Sequence, residues 1–129
     1  MSDITTVILA AGNSTRFKAS KSKLVYPLCG LPIVSHIFNI AKKISGKNIL
    51  VVSNEKNKEE LKLILNTSKL VVQKKQKGTA DAIEQVKKYV KSKNILILFG
   101  DTPLVEVKDI RKLVSKFKKS KAKASLIAF

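Results

Sequence analysis

The chain has 129 residues, 44% hydrophobic and 27% charged, proportions typical of a folded globular protein rather than a disordered one. Its length suits a single domain over residues 1–129, and no apolar run approaches the roughly 20 residues that a membrane-spanning helix needs. The net charge of +17 comes mostly from lysine, because Arg16 and Arg111 are the only arginines among 26 basic residues. Since arginine makes the bidentate phosphate and guanine contacts, this composition favours a solvated lysine-rich surface over a nucleic-acid site. The chain shows no secretory signal and has one cysteine, Cys29, expected to be small and buried, which together indicate a cytoplasmic protein.

Short apolar runs alternate with helical patterns along the whole chain. Runs rich in Val, Ile and Leu predict strands buried on both faces of a parallel sheet, at residues 6–10, 48–52, 69–72, 94–99 and 124–129. Apolar residues at helical spacing predict four intervening helices, with stripes at Ile33, Ile37, Ile40, Ala41 and Ile44; Leu61, Ile64 and Leu65; Ile83, Val86 and Val90; and Ile110, Leu113, Val114 and Phe117. This alternation predicts a three-layer α/β/α fold with a mostly parallel sheet and right-handed crossovers.

The loop after the first predicted strand has the composition of a phosphate site. It contains Gly12, two hydroxyl side chains and the cations Arg16 and Lys23, and it exceeds the usual length of roughly two to six residues. We expect Gly12 to adopt backbone angles that other residues avoid and to let a phosphate approach, while the cations neutralise its oxygens. The pattern differs from a Walker loop and from a dinucleotide-binding fingerprint. An ordinary strand-to-helix connection is the alternative interpretation.

Two later loops also follow predicted strands. After the third strand, Gln73 could read a nucleobase edge, because an amide offers both a donor and an acceptor, and Gly78 with Thr79 opens a helix. After the fourth strand, Asp101 is well placed to hold Mg²⁺ against phosphates. The alternatives are that Thr79 only caps its helix while the glutamines are solvated, and that Asp101 only caps a helix or forms a turn. Since parallel strands place ligands at their carboxyl ends, we expect all three loops at one edge of the sheet.

Taken together, the three loops resemble the sugar-nucleotidyltransferase superfamily. The first segment reads VILAAG at 7–12, followed by Thr15, Arg16 and Lys23. The second reads QKKQKGTADA at 73–82, and the third reads FGDTPL at 99–104. These segments are most similar to the uridylyltransferase domains of bacterial N-acetylglucosamine-1-phosphate uridylyltransferases. The resemblance runs the whole length of the chain and implies a Rossmann-like fold.

The resemblance also implies a nucleotide site and a reaction. The reaction would transfer UMP from UTP to N-acetylglucosamine 1-phosphate, with Mg²⁺ as cofactor, giving UDP-N-acetylglucosamine and pyrophosphate. Arg16 and Lys23 would be the catalytic residues on the phosphates, and Asp101 would be the Mg²⁺ ligand. The nucleotide-binding residues would be Leu9, Ala10, Ala11, Gly12, Lys23, Gln73, Gly78, Thr79, Phe99, Gly100 and Asp101.

The chain departs from the family pattern in a few places and leaves alternatives open. Asn13 stands where a basic residue is usual, Ser14 where glycine is frequent, Ser22 where proline is common and Phe99 where tyrosine is usual. Because family members draw most of the sugar-phosphate pocket from later residues, we expect the C-terminal acceptor part of the domain to be missing. The alternatives are a non-catalytic or split nucleotide-binding remnant, a relative using another nucleotide (molybdopterin guanylyltransferase-like), and a basic nucleic-acid-associated protein.

Overall fold

The structure, a computed structural model, describes residues 3–16, 18, 20–66 and 69–128. Its elements in chain order are β1 (Ile4–Leu9), β2 (Pro27–Leu28), β3 (Leu31–Pro32), α1 (Ile33–Ser45), β4 (Ile49–Ser53), α2 (Lys58–Leu65), β5 (Lys69–Val72), α3 (Thr79–Val86), β6 (Asn94–Phe99) and α4 (Val107–Lys119). Single 3₁₀ turns lie at Lys23–Val25 and Lys87–Tyr89. None of the described helices is both long and apolar enough to cross a membrane.

The centre of the molecule is a parallel sheet with the strand order β5-β4-β1-β6. The predicted strands at 69–72 and 94–99 match β5 and β6 residue for residue, and those at 6–10 and 48–52 differ from β1 and β4 by one or two residues at their ends. The chain runs from β1 outward through β4 to β5 and then returns to the other side of β1. This reversal between β1 and β6 is the point at which open α/β sheets bind ligands.

Helices cover both faces of the sheet, as the predicted three-layer α/β fold requires. Ile8 packs into a core with residues of α1, α2 and α4, whereas its neighbour Val7 packs into a separate core with Ala82 and Val86 of α3. Successive side chains of a strand point to opposite faces, so α3 forms its own layer.

Strand β6 departs from the predicted burial on both faces. Its residues Ile95 and Phe99 are 41% and 48% exposed. The reason is that α3 packs on β1, β4 and β5, so its layer stops short of this edge strand.

The predicted strand at 124–129 is wrong for the part of it that the structure describes. Residues 124–128 have no regular secondary structure. Leu126 is 81% exposed, and Ile127 is partly buried against the core. Phe129 lies outside the described residues. A short apolar run forms a strand only where a neighbouring strand offers backbone partners, and residues 124–128 pair with none of the described strands.

A small hairpin of β2 and β3, which the sequence patterns did not predict, leads the chain from the first loop into α1. Leu28 pairs with Leu31, and the two turn residues between them have positive φ, 50° at Cys29 and 81° at Gly30. Positive φ at both central residues is the geometry of a two-residue type I′ turn. Cys29 is therefore exposed at the turn, and the expectation that it would be buried is wrong.

Candidate functional site

A cavity of about 550 Å³ opens at the carboxyl ends of the parallel strands. Its volume lies within the roughly 300–1,000 Å³ typical of small-molecule sites. The loops after β1, β5 and β6 all contribute to its wall, so the three segments singled out in the sequence meet around one space. The predicted site residues that line it are Leu9, Ala10, Ala11, Gly12, Arg16, Lys23, Gln73, Gly78, Thr79, Phe99 and Asp101.

Gly12 serves the cavity by being small rather than by an unusual backbone conformation. Its φ lies outside the left-handed region, contrary to the expectation from the sequence, and a Cβ built on it meets nothing within 4 Å. Among the described residues of this loop, Ser14 has the strained backbone, at φ 50°. Left-handed geometry is disfavoured for residues with a Cβ, which explains why glycine suits position 14 in the resembled family.

Gly100 acts beneath the cavity instead of in its wall. It is buried, and its N–H donates to the carbonyl of Leu9 over 2.9 Å. A Cβ at this position would lie 3.2 Å from that carbonyl oxygen, so any other residue here would require β6 or the Leu9 carbonyl to shift by a few tenths of an ångström. The close approach brings the next residue, Asp101, beside the loop that follows β1.

Lys23 and Asp101 form an ion pair between the two loops at the β1/β6 reversal. Lys23 Nζ lies 2.7 Å from Asp101 Oδ2, and the two side chains are 38% and 42% exposed. Lys23 begins the 3₁₀ turn whose next residue, Leu24, is buried in the core, which anchors the lysine backbone at the cavity wall. An exposed pair of this kind contributes about 0–1 kcal/mol, so a charged ligand can replace it at little cost.

The donor set of the cavity suits a divalent cation that brings its own ligands. No group of three or more His, Cys, Asp or Glu side chains with metal-binding geometry occurs among the described residues, so Asp101 is not part of an all-protein cage. Mg²⁺ commonly takes one or two carboxylates and completes its shell with substrate phosphates and water. The Asp101 carboxylate, already beside one cation, fits that type of site.

Gln73 is held at the other end of the cavity, after β5. It is only 3% exposed, and its backbone N–H donates to the carbonyl of Ser53 over 2.8 Å. Its side-chain Nε2 donates to Asp81 Oδ2 over 2.7 Å and to the carbonyl of Gly78 over 3.3 Å. Gly78 has φ 94° and caps α3, so Thr79 is the first helical residue and not the N-cap that its sequence position suggested.

Two buried asparagines that the sequence patterns did not single out fix the backbone of the first loop. Asn54 Nδ2 donates to the carbonyl of Ala11 over 3.0 Å, and Asn57 Nδ2 donates to the carbonyl of Ala10 over 2.7 Å. The two residues also bind each other, because the backbone N–H of each donates to the side-chain oxygen of the other. Their position directly after β4, at the carboxyl edge of the sheet, is the signal that could have identified them.

An exposed ion pair joins the turn that contains these asparagines to the start of α2. Lys58 Nζ lies 2.8 Å from Glu55 Oε2. This hydrogen bond and the charge of the ammonium hold the pKa of the Glu55 carboxyl below its ordinary value and raise the pKa of Lys58.

The chain is similar to known proteins over nearly its whole length. Over 120 residues it is 42% identical to the bifunctional protein GlmU of Buchnera aphidicola subsp. Schizaphis graminum, covering 92% of this chain and 26% of that protein. It is also similar to the structure of CMP:2-keto-3-deoxy-manno-octonic acid synthetase complexed with CTP, with a TM-score of 0.74, 19% identity, and coverage of 94% of this chain and 49% of that one. A complex of Rv0371c from Mycobacterium tuberculosis H37Rv with manganese gives a TM-score of 0.71, 19% identity, and coverage of 92% and 61%.

These similarities concern one part of longer proteins, since the chain spans about a quarter, 26%, of the length of the curated GlmU relative. The likeness to the two solved structures shows the fold. The family is shown by residues 6–129, which match the MobA-like NTP transferase domain family. The chain belongs to this family of NTP transferase domains.

Proposed function

We propose that the chain binds Mg²⁺-UTP in the cavity and forms the nucleotide half of an enzyme that transfers UMP to N-acetylglucosamine 1-phosphate. The observation that carries the proposal is the distribution of chemistry around one cavity. Cations and a carboxylate lie at the β1/β6 reversal, and a buried amide lies after β5. β5 and β1 are two strand spacings apart, about 10 Å, which is on the scale of the distance from a nucleobase to its phosphates.

The chain's residues would act by position and charge. Arg16 and Lys23 would bind phosphate oxygens and neutralise the charge that develops when the sugar-phosphate oxygen attacks the α-phosphorus and pyrophosphate leaves. Lys23 would exchange its contact with Asp101 for one with phosphate, which frees the carboxylate to hold Mg²⁺. When bound, Mg²⁺ would supply further neutralisation of the phosphate charge.

The comparisons support a nucleotide and a divalent cation in general terms. One protein of the same fold is complexed with CTP and another with manganese. The choice of UTP and of N-acetylglucosamine 1-phosphate rests on the sequence resemblance of the three loops and on the identity with GlmU. The acceptor and the transfer reaction are therefore the parts of the proposal that need an activity measurement.

Calorimetric titration with Mg²⁺-UTP tests the nucleotide site. Lys23→Ala and Asp101→Ala should each weaken binding about 10- to 100-fold, as expected for the loss of one charged contact. Lys116→Ala and Asp109→Ala are the matched controls, because they remove the same charges from exposed positions on α4 and should leave the affinity unchanged. Unchanged titrations for both site variants would refute the proposed site.

Pyrophosphate release on addition of N-acetylglucosamine 1-phosphate tests the reaction, and binding without release would indicate a nucleotide-binding module.

A further inference from the structure

The contacts of Gln73 determine which way its amide group points. Both neighbours of Nε2 are obligate acceptors, the Asp81 carboxylate at 2.7 Å and the Gly78 carbonyl at 3.3 Å. If the amide turned over, Oε1 would face those two oxygens and make no hydrogen bond with either. A nearly buried amide with only acceptors on one side must therefore direct its NH₂ group toward them.

The consequence is that Gln73 offers an acceptor to the ligand. Gln73 lines the cavity, and no described residue donates a hydrogen bond to its Oε1. Asp81 is not in the cavity wall, so it would act on a ligand only through Gln73. We propose that Asp81 is a positioning residue that sets base preference by holding the Gln73 amide with its oxygen toward the cavity; this inference rests on the proposed nucleotide site.

An acceptor at this position distinguishes two classes of base. Uracil, thymine and guanine carry a hydrogen on the ring nitrogen of their pairing edge, which can donate to Oε1. Cytosine and adenine present a lone pair at that nitrogen and carry their donor on the exocyclic amino group instead, so either base would have to shift in the cavity to bond Oε1. A site built to bond a particular group rejects the analogue that lacks it, because buried polar groups are left unpaired. UTP and CTP are the informative pair, since the two bases have nearly the same size.

The experiment measures the ratio of CTP to UTP dissociation constants for the full 129-residue chain with Mg²⁺. We expect the unaltered protein to bind UTP about tenfold or more tightly than CTP, the size of one hydrogen-bond mismatch. In Asp81→Ala the NH₂ group keeps only its longer contact, 3.3 Å to the Gly78 carbonyl, so the amide can turn over more readily and donate to the cytosine nitrogen, and the ratio should fall to about threefold or less. Any general gain in phosphate affinity from removing a negative charge affects both nucleotides equally and cancels in the ratio.

Two further variants separate positioning from a structural role of Asp81 in the first turn of α3. Asp81→Asn removes the same charge but keeps an oxygen that can accept from Gln73, so it should restore most of the discrimination. Glu84→Ala removes a carboxylate from an exposed position on the same helix and should leave the ratio unchanged. Thermal unfolding of each variant reports the contribution to helix stability separately.

The outcomes distinguish this inference from the proposal on which it rests. If UTP binds and Asp81→Ala keeps the original ratio, the positioning role is wrong and the nucleotide site stands. Equal binding of UTP and CTP by the unaltered protein also overturns the inference alone. If neither nucleotide binds, both fail together.

Discussion

Replacing Asn57 by alanine should destabilise the protein far more than an ordinary loop substitution. Asn57 is only 2% exposed, and its side chain makes two hydrogen bonds. Nδ2 donates to the Ala10 carbonyl over 2.7 Å, and Oδ1 accepts from the Asn54 N–H over 3.0 Å. Truncation leaves both backbone groups unpaired in the interior. At about 1–3 kcal/mol for each unpaired group, the expected loss in the free energy of unfolding is about 2–6 kcal/mol.

Asn57 also lies directly before α2, so the expected loss of stability has to be distinguished from the loss of a helix-capping hydrogen bond. Asn57 occupies the N-cap position of α2, yet its side chain makes no capping hydrogen bond. A conventional cap is worth about 1 kcal/mol, which is below the range expected from the two buried contacts. Asn57→Asp separates the two contacts, because a carboxylate still accepts from Asn54 but repels the Ala10 carbonyl; we expect its loss also to exceed 1 kcal/mol.

Urea unfolding followed by circular dichroism measures these changes. With a slope of about 2 kcal/mol per molar urea, Asn57→Ala should lower the midpoint by about 1–3 M. Asn39→Ala is the matched control, because that asparagine is exposed on α1 and its loss should change the midpoint very little. A loss below 1 kcal/mol in Asn57→Ala, at an unchanged slope, would refute the reasoning that this side chain holds the first loop.

Two smaller changes test local features of the same region. Ser14→Gly should raise the free energy of unfolding by up to about 1 kcal/mol in thermal or urea unfolding, because φ 50° is strained for a residue with a Cβ; a loss of stability would contradict the positive φ. Ser53→Ala should change stability by less than about 0.5 kcal/mol, or raise it slightly, because its hydroxyl is fully buried and finds no partner among the described residues. A loss of 2 kcal/mol or more in that variant would indicate a hydrogen bond to this hydroxyl.

The parts of the fold that could be predicted are those with a local signal. Strands of a parallel sheet form continuous apolar runs, and the bounds of β5 and β6 were predicted to the residue for that reason, although both are edge strands and only partly buried. The run at 124–128 is also mostly apolar, but no described strand lies beside it, and the composition of one segment carries no information about its pairing partners. The hairpin of β2 and β3 was missed because two residues per strand are too few to show a period.

The candidate site shows the same division between local and distant information. The cavity-lining residues lie in short motifs next to strand ends, so their meeting follows from the topology. The contacts of the residues that hold these motifs in place do not follow from the topology. Asn57 donates a hydrogen bond to a carbonyl 47 positions earlier in the chain. Asp81 accepts one from Gln73, which lies eight positions earlier, on the other side of a glycine turn. Because Asn and Asp in loops are most often solvated or local caps, such contacts become visible only with the backbone in place.

The Lys23–Asp101 pair links the site's electrostatics to its proposed ligand. With the two groups 2.7 Å apart, the acid and the base that would bind Mg²⁺ and phosphate neutralise each other. The Mg²⁺-nucleotide brings a cation and an anion to the same place, so it can replace both halves of the pair at once. Either ion alone would leave one side chain without its partner and gain less. We therefore expect metal and nucleotide to bind jointly, which is the form in which a phosphoryl-transfer substrate arrives.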